Sequence, residues 1–194
     1  DIVDLYAIRR VYPISRFNIL IAAFLESIKS GKPLNTENFI YGYAKSQYGF
    51  DENSARVFWK AISTVPFEIT QGKPMNTDLS IEQMLASTKK ASAILVKLKP
   101  VKNAREFEHY RLMAAIRIQY LTYQSIESRA NAPEMTAEKL KALIPELEAL
   151  PTKELDKKFI ELNSEIMYPS EIAQENELRN AKIKVLLDRL KRLK

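Results

Sequence analysis

The chain has 194 residues, 46% of them hydrophobic and 28% charged, which is the composition of a protein that buries a core of its own. It has no cysteine and a single histidine, so disulfides, zinc–thiolate sites and cysteine nucleophiles are excluded. No apolar run reaches the ~20 residues of a bilayer-spanning helix, because the apolar stretch 17–25 is followed directly by Glu26. We therefore expect a soluble protein without a transmembrane segment, intracellular or virion-associated.

Apolar residues recur at helical spacing along nearly the whole chain, which predicts an all-α fold. Residues 65–77 interrupt this spacing and favour at most one short β-hairpin, near residues 66–75. The expected architecture is a compact bundle of about eight or nine helices. In chain order, the predicted helices cover residues 1–12, 15–30, 35–49, 51–65, 80–98, 103–130, 136–150 with a kink or break at Pro145, 152–167 and 171–193.

Capping signals mark several of the predicted helix starts. Ser80 and Gln83 have the spacing of a capping box, in which a serine side chain and a glutamine side chain each bind a backbone N–H. Asn103 and Glu106 have similar spacing, and Thr152 is a preferred residue type for an N-cap. These signals predict that Ser80, Asn103 and Thr152 are helix N-caps.

The predicted helix over residues 103–130 is apolar on more than one face, which is typical of a central helix. Residues 131–135 follow it and contain a proline, so they are the best candidate for a boundary. We therefore divide the chain into a helical body, residues 1–130, and a C-terminal helical region, residues 131–194, that ends in a basic amphipathic helix.

Charge is distributed unevenly along this order. Residues 1–88 carry nine basic and nine acidic groups, whereas residues 89–129 carry nine basic and three acidic ones. Residues 134–177 carry five basic and eleven acidic groups, and residues 179–194 carry seven basic groups and one acidic group. The last segment alone equals the net charge of the whole chain, +6. Such a helix is expected to bind nucleic acid, an acidic membrane, a partner helix or an acidic face of its own protein.

His109 is the one residue that could supply imidazole chemistry. Glu106 and His109 have the E-x-x-H spacing of helical di-iron bundles, but such sites need a second motif that one histidine cannot supply. No nucleophile motif accompanies His109, and carboxylate pairs such as Glu171 and Glu175 are typical of solvated helix faces. We expect no catalytic residue, metal or cofactor. An enzyme with a metal or histidine site shared between subunits is the remaining alternative.

The basic central segment is the first candidate binding site. Clustered cations favour phosphate binding, because neutralised phosphates release counterions. Tyr110, Tyr120 and Tyr123 follow in the sequence and could stack on bases. The plainer alternative is that these tyrosines belong to the core and that the cations complement the acidic segment 134–177. The candidate nucleic-acid-binding residues here are Lys89, Lys90, Lys97, Lys99, Lys102, Arg105, Arg111 and Arg117.

The basic C-terminal helix is the second candidate. It could pack on its own body, lie on an anionic membrane or dock on a neighbouring subunit; its apolar stripe has no Trp or Phe, which disfavours the membrane. We favour docking on a partner through the stripe formed by Ile183, Leu186, Leu187, Leu190 and Leu193. The candidate nucleic-acid-binding cations are Arg179, Lys182, Lys184, Arg189, Lys191, Arg192 and Lys194.

Three helices followed by a hairpin also imitate the order of a winged-helix DNA-binding domain. The helix that would enter the major groove begins at Asp51 and Glu52, which would repel phosphates at the end that meets the bases. Residues 1–88 are neutral overall, which also disfavours this alternative. Its candidate contact residues are Asn53, Arg56, Lys60 and, on the wing, Lys73.

The leading functional hypothesis is a non-enzymatic, nucleic-acid-associated structural protein, such as a nucleoprotein or helical coat subunit. Self-association is expected, because the basic tail of one subunit could meet the acidic segment of the next and build rings or filaments. The alternatives are a protein-binding adaptor or chaperone that docks through its C-terminal helix, and a winged-helix-like DNA-binding regulator.

Overall fold

The structure, a computed structural model, describes residues 14–63, 69–70, 73–74 and 78–193. The helix predicted over residues 1–12 lies outside the described residues. Two two-residue strands, β1 (Ile69–Thr70) and β2 (Lys73–Pro74), pair antiparallel between α3 and α4. The helices are α1 (Ile14–Ser30), α2 (Thr36–Tyr48), α3 (Glu52–Ile62), α4 (Ile81–Lys97), α5 (Ala104–Ala130), α6 (Ala137–Lys141), α7 (Ile144–Glu148), α8 (Thr152–Asn163) and α9 (Pro169–Lys191).

The prediction of an all-α fold is confirmed, whereas the expected number of eight or nine helices is corrected. In the described part of the chain, seven helices have eleven residues or more. The helix 136–150, predicted with a kink or break at Pro145, is divided just before that residue into the five-residue helices α6 and α7. Pro145 lies in the first turn of α7, where its missing N–H costs no helical hydrogen bond, so the chain restarts a helix there.

Ser80 and Asn103 occupy N-cap positions as predicted, but only Ser80 caps its helix through its side chain. Ser80 and Gln83 form the reciprocal capping box at the start of α4. Asn103 precedes α5 but adopts a left-handed backbone, φ 46°, and its side chain makes no cap hydrogen bond. Its Nδ2 instead donates to the carbonyl oxygen of Gln47, at 2.8 Å. Thr152 is the first residue of α8 and Pro151 occupies the cap position, so this prediction is also corrected.

An aromatic cluster forms the core shared by α2, α3, α4 and α5. Tyr48, Phe58 and Phe107 are fully buried, and Phe50 and Tyr110 are nearly so. The ring centroids of Tyr48 and Phe107 are 5.2 Å apart with the rings edge to face, the arrangement that the ring quadrupoles favour. This cluster joins α2 to the first half of α5.

The rest of α5 packs against the C-terminal helices, as expected for a central helix. Its middle carries Leu112, which packs with Phe159 of α8 and Ile172 of α9. Its last turns carry Tyr123 and Ile126, which share a second cluster with residues of α7 and α9. Residues on both sides of the predicted boundary at 131–135 thus share one cluster, and the division into two regions stays a prediction.

The turn between α4 and α5 is held against the C-terminal end of α2. The backbone N–H groups of Val101 and Lys102 both donate to the carbonyl oxygen of Tyr48, at 2.8 and 3.1 Å. Gly49 ends α2 with φ 68°, and a Cβ atom built on it would lie 3.1 Å from Cβ of Val101. These contacts, together with the Asn103–Gln47 hydrogen bond, form what we call the α2–turn clamp.

Replacing Gly49 with alanine tests this clamp. We expect Gly49→Ala to lower the free energy of unfolding by about 1–2 kcal/mol, because a left-handed backbone disfavours any side chain and the new Cβ presses on Val101. Gly42→Ala is the matched control: this glycine lies inside α2 with open space around it. It should stabilise by about 1 kcal/mol through helix propensity. Urea unfolding measures the free energy of unfolding of both variants. An equal change at the two glycines would contradict the clamp.

Candidate polyanion-binding surface

Five of the predicted cations form an exposed row along α4 and the following turn. We call this row, Lys89, Lys90, Lys97, Lys99 and Lys102, the lysine ridge. All five are exposed. Among the described residues, no carboxylate lies within ion-pair distance of any of them. Their charges are therefore available to a polyanion.

Helical geometry places the first three lysines on one solvent-facing arc. Lys90 and Lys97 are seven residues apart, almost two full turns, so they share one line along α4 about 11 Å apart. Lys89 flanks that line on the exposed side. Lys99 and Lys102 lie in the following turn, where the α2–turn clamp holds the backbone of Lys102.

Arg111, in contrast, is part of the fold rather than of the surface. Its Nε donates to the carbonyl oxygen of Leu95 at 3.0 Å, and its Nη2 donates to that of Leu98 at 2.6 Å. These carbonyls end α4 and would otherwise lack partners. The remaining nitrogen binds Glu108. The prediction that Arg111 binds nucleic acid is therefore corrected, because the helix end occupies its donors.

Two further arginines of the central segment are also removed from the candidate site. Arg117 is 5% exposed, and burial lowers the pKa of its guanidinium. Arg105 is exposed, but its Nη1 lies 2.9 Å from a carboxylate oxygen of Glu165. The side chains of Arg105 and Arg117 thus serve the protein's own packing and ion pairing.

The tyrosines that were predicted to stack on bases lie in the core. Tyr110 and Tyr123 are each 3% exposed, and Tyr120 is half-buried. Burial is the main cause that raises the pKa of Tyr120. Burial leaves no room for a base to stack on Tyr110 or Tyr123, so the alternative that assigned the tyrosines to the core is confirmed for these two.

The apolar stripe of the C-terminal helix packs inside the chain. Buried residues of the stripe lie against Ile126 of α5 and against Leu143 and Leu147 near α7. The prediction that this stripe docks on a partner is corrected, because the stripe is already covered by the chain's own residues. The sequence showed the apolar stripe but not the surface against which it packs. Ile183, Leu186 and Leu190 are buried, and Leu187 and Leu193 are partly buried.

The cations of α9 divide into paired and exposed groups. Arg179 Nη2 lies 2.6 Å from Asp156 Oδ1, and its guanidinium lies over the ring of Phe159. Lys191 Nζ lies 2.7 Å from a carboxylate oxygen of Glu148. Arg189 donates to the side-chain oxygen of Asn131. Lys182, Lys184 and Arg192 are exposed with no ion pair among the described residues, and Lys194 lies outside those residues.

Oppositely charged segments therefore neutralise each other within one chain. The acidic segment 134–177 receives Arg105 and Arg129 from α5. It also receives Arg179 and Lys191 from α9. Complementary block charges in the sequence were the available signal for this pairing. Among the described residues, the lysine ridge and the α9 cations Lys182, Lys184 and Arg192 remain outside it.

Glu106, the carboxylate of the E-x-x-H pair, is held by side chains of α2. Glu106 accepts hydrogen bonds from Nε2 of Gln47 at 2.9 Å and from the Tyr48 hydroxyl at 3.0 Å. Tyr43 lies beside it, and burial together with the Glu106 charge raises the pKa of Tyr43 to about 12, so its phenol stays a neutral donor. The described part of the chain contains no group of three residues that could hold a metal ion.

The winged-helix alternative stays a prediction. α2 and α3 are joined by the short turn Gly49–Asp51, as in a helix–turn–helix, and the short hairpin follows α3. However, α1 packs chiefly on α5. On α3, Arg56 lies 3.0 Å from Glu52 and over the ring of Tyr41. Asn53 and Lys60 are exposed, whereas the side chain of Lys73 lies outside the described residues.

Comparisons with known proteins add no relative. No protein-family model matches the chain, and no curated protein or solved structure matches it significantly. No helix within the described ranges is both long and apolar enough to cross a bilayer.

His109 should make stability depend on pH in a defined window. It is 5% exposed, and burial lowers its pKa below the unfolded value of about 6.5. The unfolded chain then binds the proton more readily, so stability is fully present above the unfolded pKa and falls as pH drops below it. We expect His109→Gln to flatten this fall between about pH 7 and 5.5. The free energy of unfolding of both proteins is measured by urea unfolding at several pH values. The same dependence of that free energy on pH in both proteins would contradict this prediction.

Replacing Arg179 tests how much its ion pair with Asp156 contributes to stability. We expect Arg179→Ala to lower the free energy of unfolding by about 3 kcal/mol, because Asp156 keeps a partly buried charge without its arginine. Lys182→Ala, an exposed position on the same helix, should change stability by less than about 0.5 kcal/mol. Thermal or urea unfolding measures both, and similar losses would contradict the assigned role of Arg179.

Proposed function

We propose that this protein is a non-enzymatic, nucleic-acid-associated structural or assembly protein whose lysine ridge contacts the phosphate backbone. A nucleoprotein or helical coat-type subunit has this kind of surface: basic, fixed on a helical scaffold and independent of base sequence. The observation that carries the proposal is that five exposed lysines on one side of α4 and its turn make no ion pair among the described residues.

Contrast with the other cations supports this proposal. Arg105 and Arg111, which follow the ridge in sequence, are matched by Glu165 and Glu108. An ordinary solvated surface would be expected to intersperse both signs. The concentration of unmatched charge on one element therefore favours an anionic partner.

The chemistry of the ridge favours backbone contact over base readout. Lysine is a compact point charge with freely rotating donors, whereas bidentate recognition of a base edge needs arginine, asparagine or glutamine. The aromatic rings near the ridge, such as Phe107 and Tyr110, are buried. We therefore propose sequence-independent binding that weakens strongly with salt.

A second candidate function is a winged-helix-like DNA-binding regulator. The short turn at Gly49 between α2 and α3 and the hairpin after α3 favour it. It predicts preference for particular duplex sequences and dependence on Asn53 and Arg56. The adaptor hypothesis has lost its proposed docking stripe to the core.

Neutralising the ridge tests the proposed function. The full chain is titrated with mixed-sequence duplex DNA and single-stranded RNA across a salt series, beside a variant with all five ridge lysines changed to glutamine. If the ridge neutralises up to five phosphates, the logarithm of the binding constant should fall with slope about −4 to −5 against log salt on duplex DNA. The variant should lose most of that slope.

A matched control replaces Lys182, Lys184 and Arg192 with glutamine, since these are also exposed and without an ion pair among the described residues. If this control keeps most of the slope of the logarithm of the binding constant against log salt, the binding belongs to the ridge. Absence of binding by the parent chain at low salt, or equal losses in both variants, would contradict the proposal. Loss of binding in an Asn53→Ala, Arg56→Ala variant alone would favour the winged-helix candidate.

A further inference from the structure

An open groove of about 450 Å³ runs along α5 between α4 and α8. Both flanking helices pack on α5, which forms the floor of the groove. Leu112 and Ala115 make this floor apolar, and Val96 of α4, which is 58% exposed, supplies an apolar wall. The volume lies within the range of about 300–1,000 Å³ that is usual for small-ligand sites. The groove can therefore hold a small organic ligand or one unit of a polymer.

The α4 wall of this groove adjoins the lysine ridge. Lys89 and Val96 are seven residues apart, almost two full turns, so they share one line along α4. Ser92 lies between them and also lines the groove. Lys89 is exposed and makes no ion pair among the described residues. A phosphate bound at Lys89 would therefore place the rest of its nucleotide beside the groove.

The α8 wall carries charges of both signs, on Glu154, Lys157, Lys158 and Glu161. Lys157 Nζ lies 4.0 Å from a carboxylate oxygen of Glu161, and Lys158 Nζ lies 3.8 Å from one of Glu108. The other charged residue of the lining, Arg111, already donates to the end of α4 and to Glu108. Mixed charges give a phosphate little net attraction to this wall. They do offer the donors and acceptors that bind the edge of a nucleobase.

The character of the groove thus changes in order across its width. It is cationic at the α4 rim, apolar on α5 and mixed polar at α8. A nucleotide of a single strand has the same three parts: a phosphate, the flat face of a base, and a base edge with donors and acceptors. In a duplex the base faces are stacked and the pairing edges are occupied, so a base could enter only after unpairing.

We propose that the α4–α8 groove takes one base of a single-stranded nucleic acid whose phosphates are held by the lysine ridge. This inference rests on the proposed function and names the preferred ligand of that surface, a single strand rather than a duplex. Unpaired bases that splay out from a strand are available for such contacts. The aliphatic floor and wall contact the face that every base has, so binding remains independent of sequence.

Substitutions in the groove should change the ratio of single-strand to duplex affinity. The full chain is titrated at one salt concentration with a single strand of about 15 nucleotides and with the duplex of the same sequence. The parent chain should bind the single strand at least as tightly as the duplex, although the denser charge of the duplex alone would favour the duplex. Val96→Glu should lower the ratio about 10-fold, because it places a charge on the apolar wall.

Val101→Glu is the matched control for this substitution. Val101 is 81% exposed and lies outside the groove, in the turn between Lys99 and Lys102. The same charge change beside the ridge should weaken single-strand and duplex binding alike, so the ratio should stay within about 2-fold of the parent value. Circular dichroism checks that both substitutions, at exposed positions, leave the fold intact.

A fluorescent base reports directly on entry into the groove. The emission of 2-aminopurine is quenched by stacking on neighbouring bases and rises when the base leaves the stack. In a single strand that carries 2-aminopurine at several positions, a saturating amount of the parent chain should raise the emission about 2-fold or more. A saturating amount of the Val96→Glu variant should produce less than half of that rise.

The outcomes separate the groove from the ridge. If both nucleic acids bind with a steep dependence on salt, but the two valine variants change the ratio equally or the emission stays constant at saturation, the groove takes no base and the ridge proposal stands. If the parent chain binds neither nucleic acid at low salt, both proposals are overturned. A ratio lowered by Val96→Glu alone, together with the rise in emission, supports the groove.

Discussion

The rest of the fold depends on the hydrogen bonds that the last backbone carbonyl oxygens of α2 accept. The carbonyl oxygen of Tyr48 accepts two backbone N–H groups from the α4–α5 turn, and the carbonyl of Gln47 accepts the side chain of Asn103. The last carbonyls of a helix have no partner within the helix, so these bonds remove a cost that burial would otherwise impose. Beside them, Glu106 binds Gln47 and Tyr48 from α5. One short contact region therefore fixes α5 against α2.

This constraint also explains why the lysine ridge is a defined surface. The turn lysines stand on backbone that is hydrogen-bonded to another helix, and Arg111 ties the end of α4 to α5. Cations that face the acidic segment form ion pairs with it, whereas the lysines of the ridge form none among the described residues. The proposed binding surface thus results from the same packing that neutralises the other charged segments.

The sequence predicted the helices well and the partners of their faces poorly. The helical spacing of apolar residues and the local capping signals were enough to predict α4, because the capping box at Ser80 involves residues only three positions apart. They did not predict the hydrogen-bond partner of the Asn103 side chain, because that partner, the carbonyl of Gln47, is 56 positions away. The five ridge lysines were predicted together with Arg111, whose charge is equal but whose environment is set by tertiary packing. For the same reason, the leucines of α9 were visible as a stripe, while the surface that they cover was not.

The most direct test of the central claim is a lysine-reactivity footprint of the full chain with and without duplex DNA, measured position by position by mass spectrometry after limited labelling of amines. The account predicts that DNA protects Lys89, Lys90, Lys97, Lys99 and Lys102, while Lys182 and Lys184 keep their reactivity. Protection of the α9 lysines with an unchanged ridge, or no protection at any lysine at low salt, would contradict it.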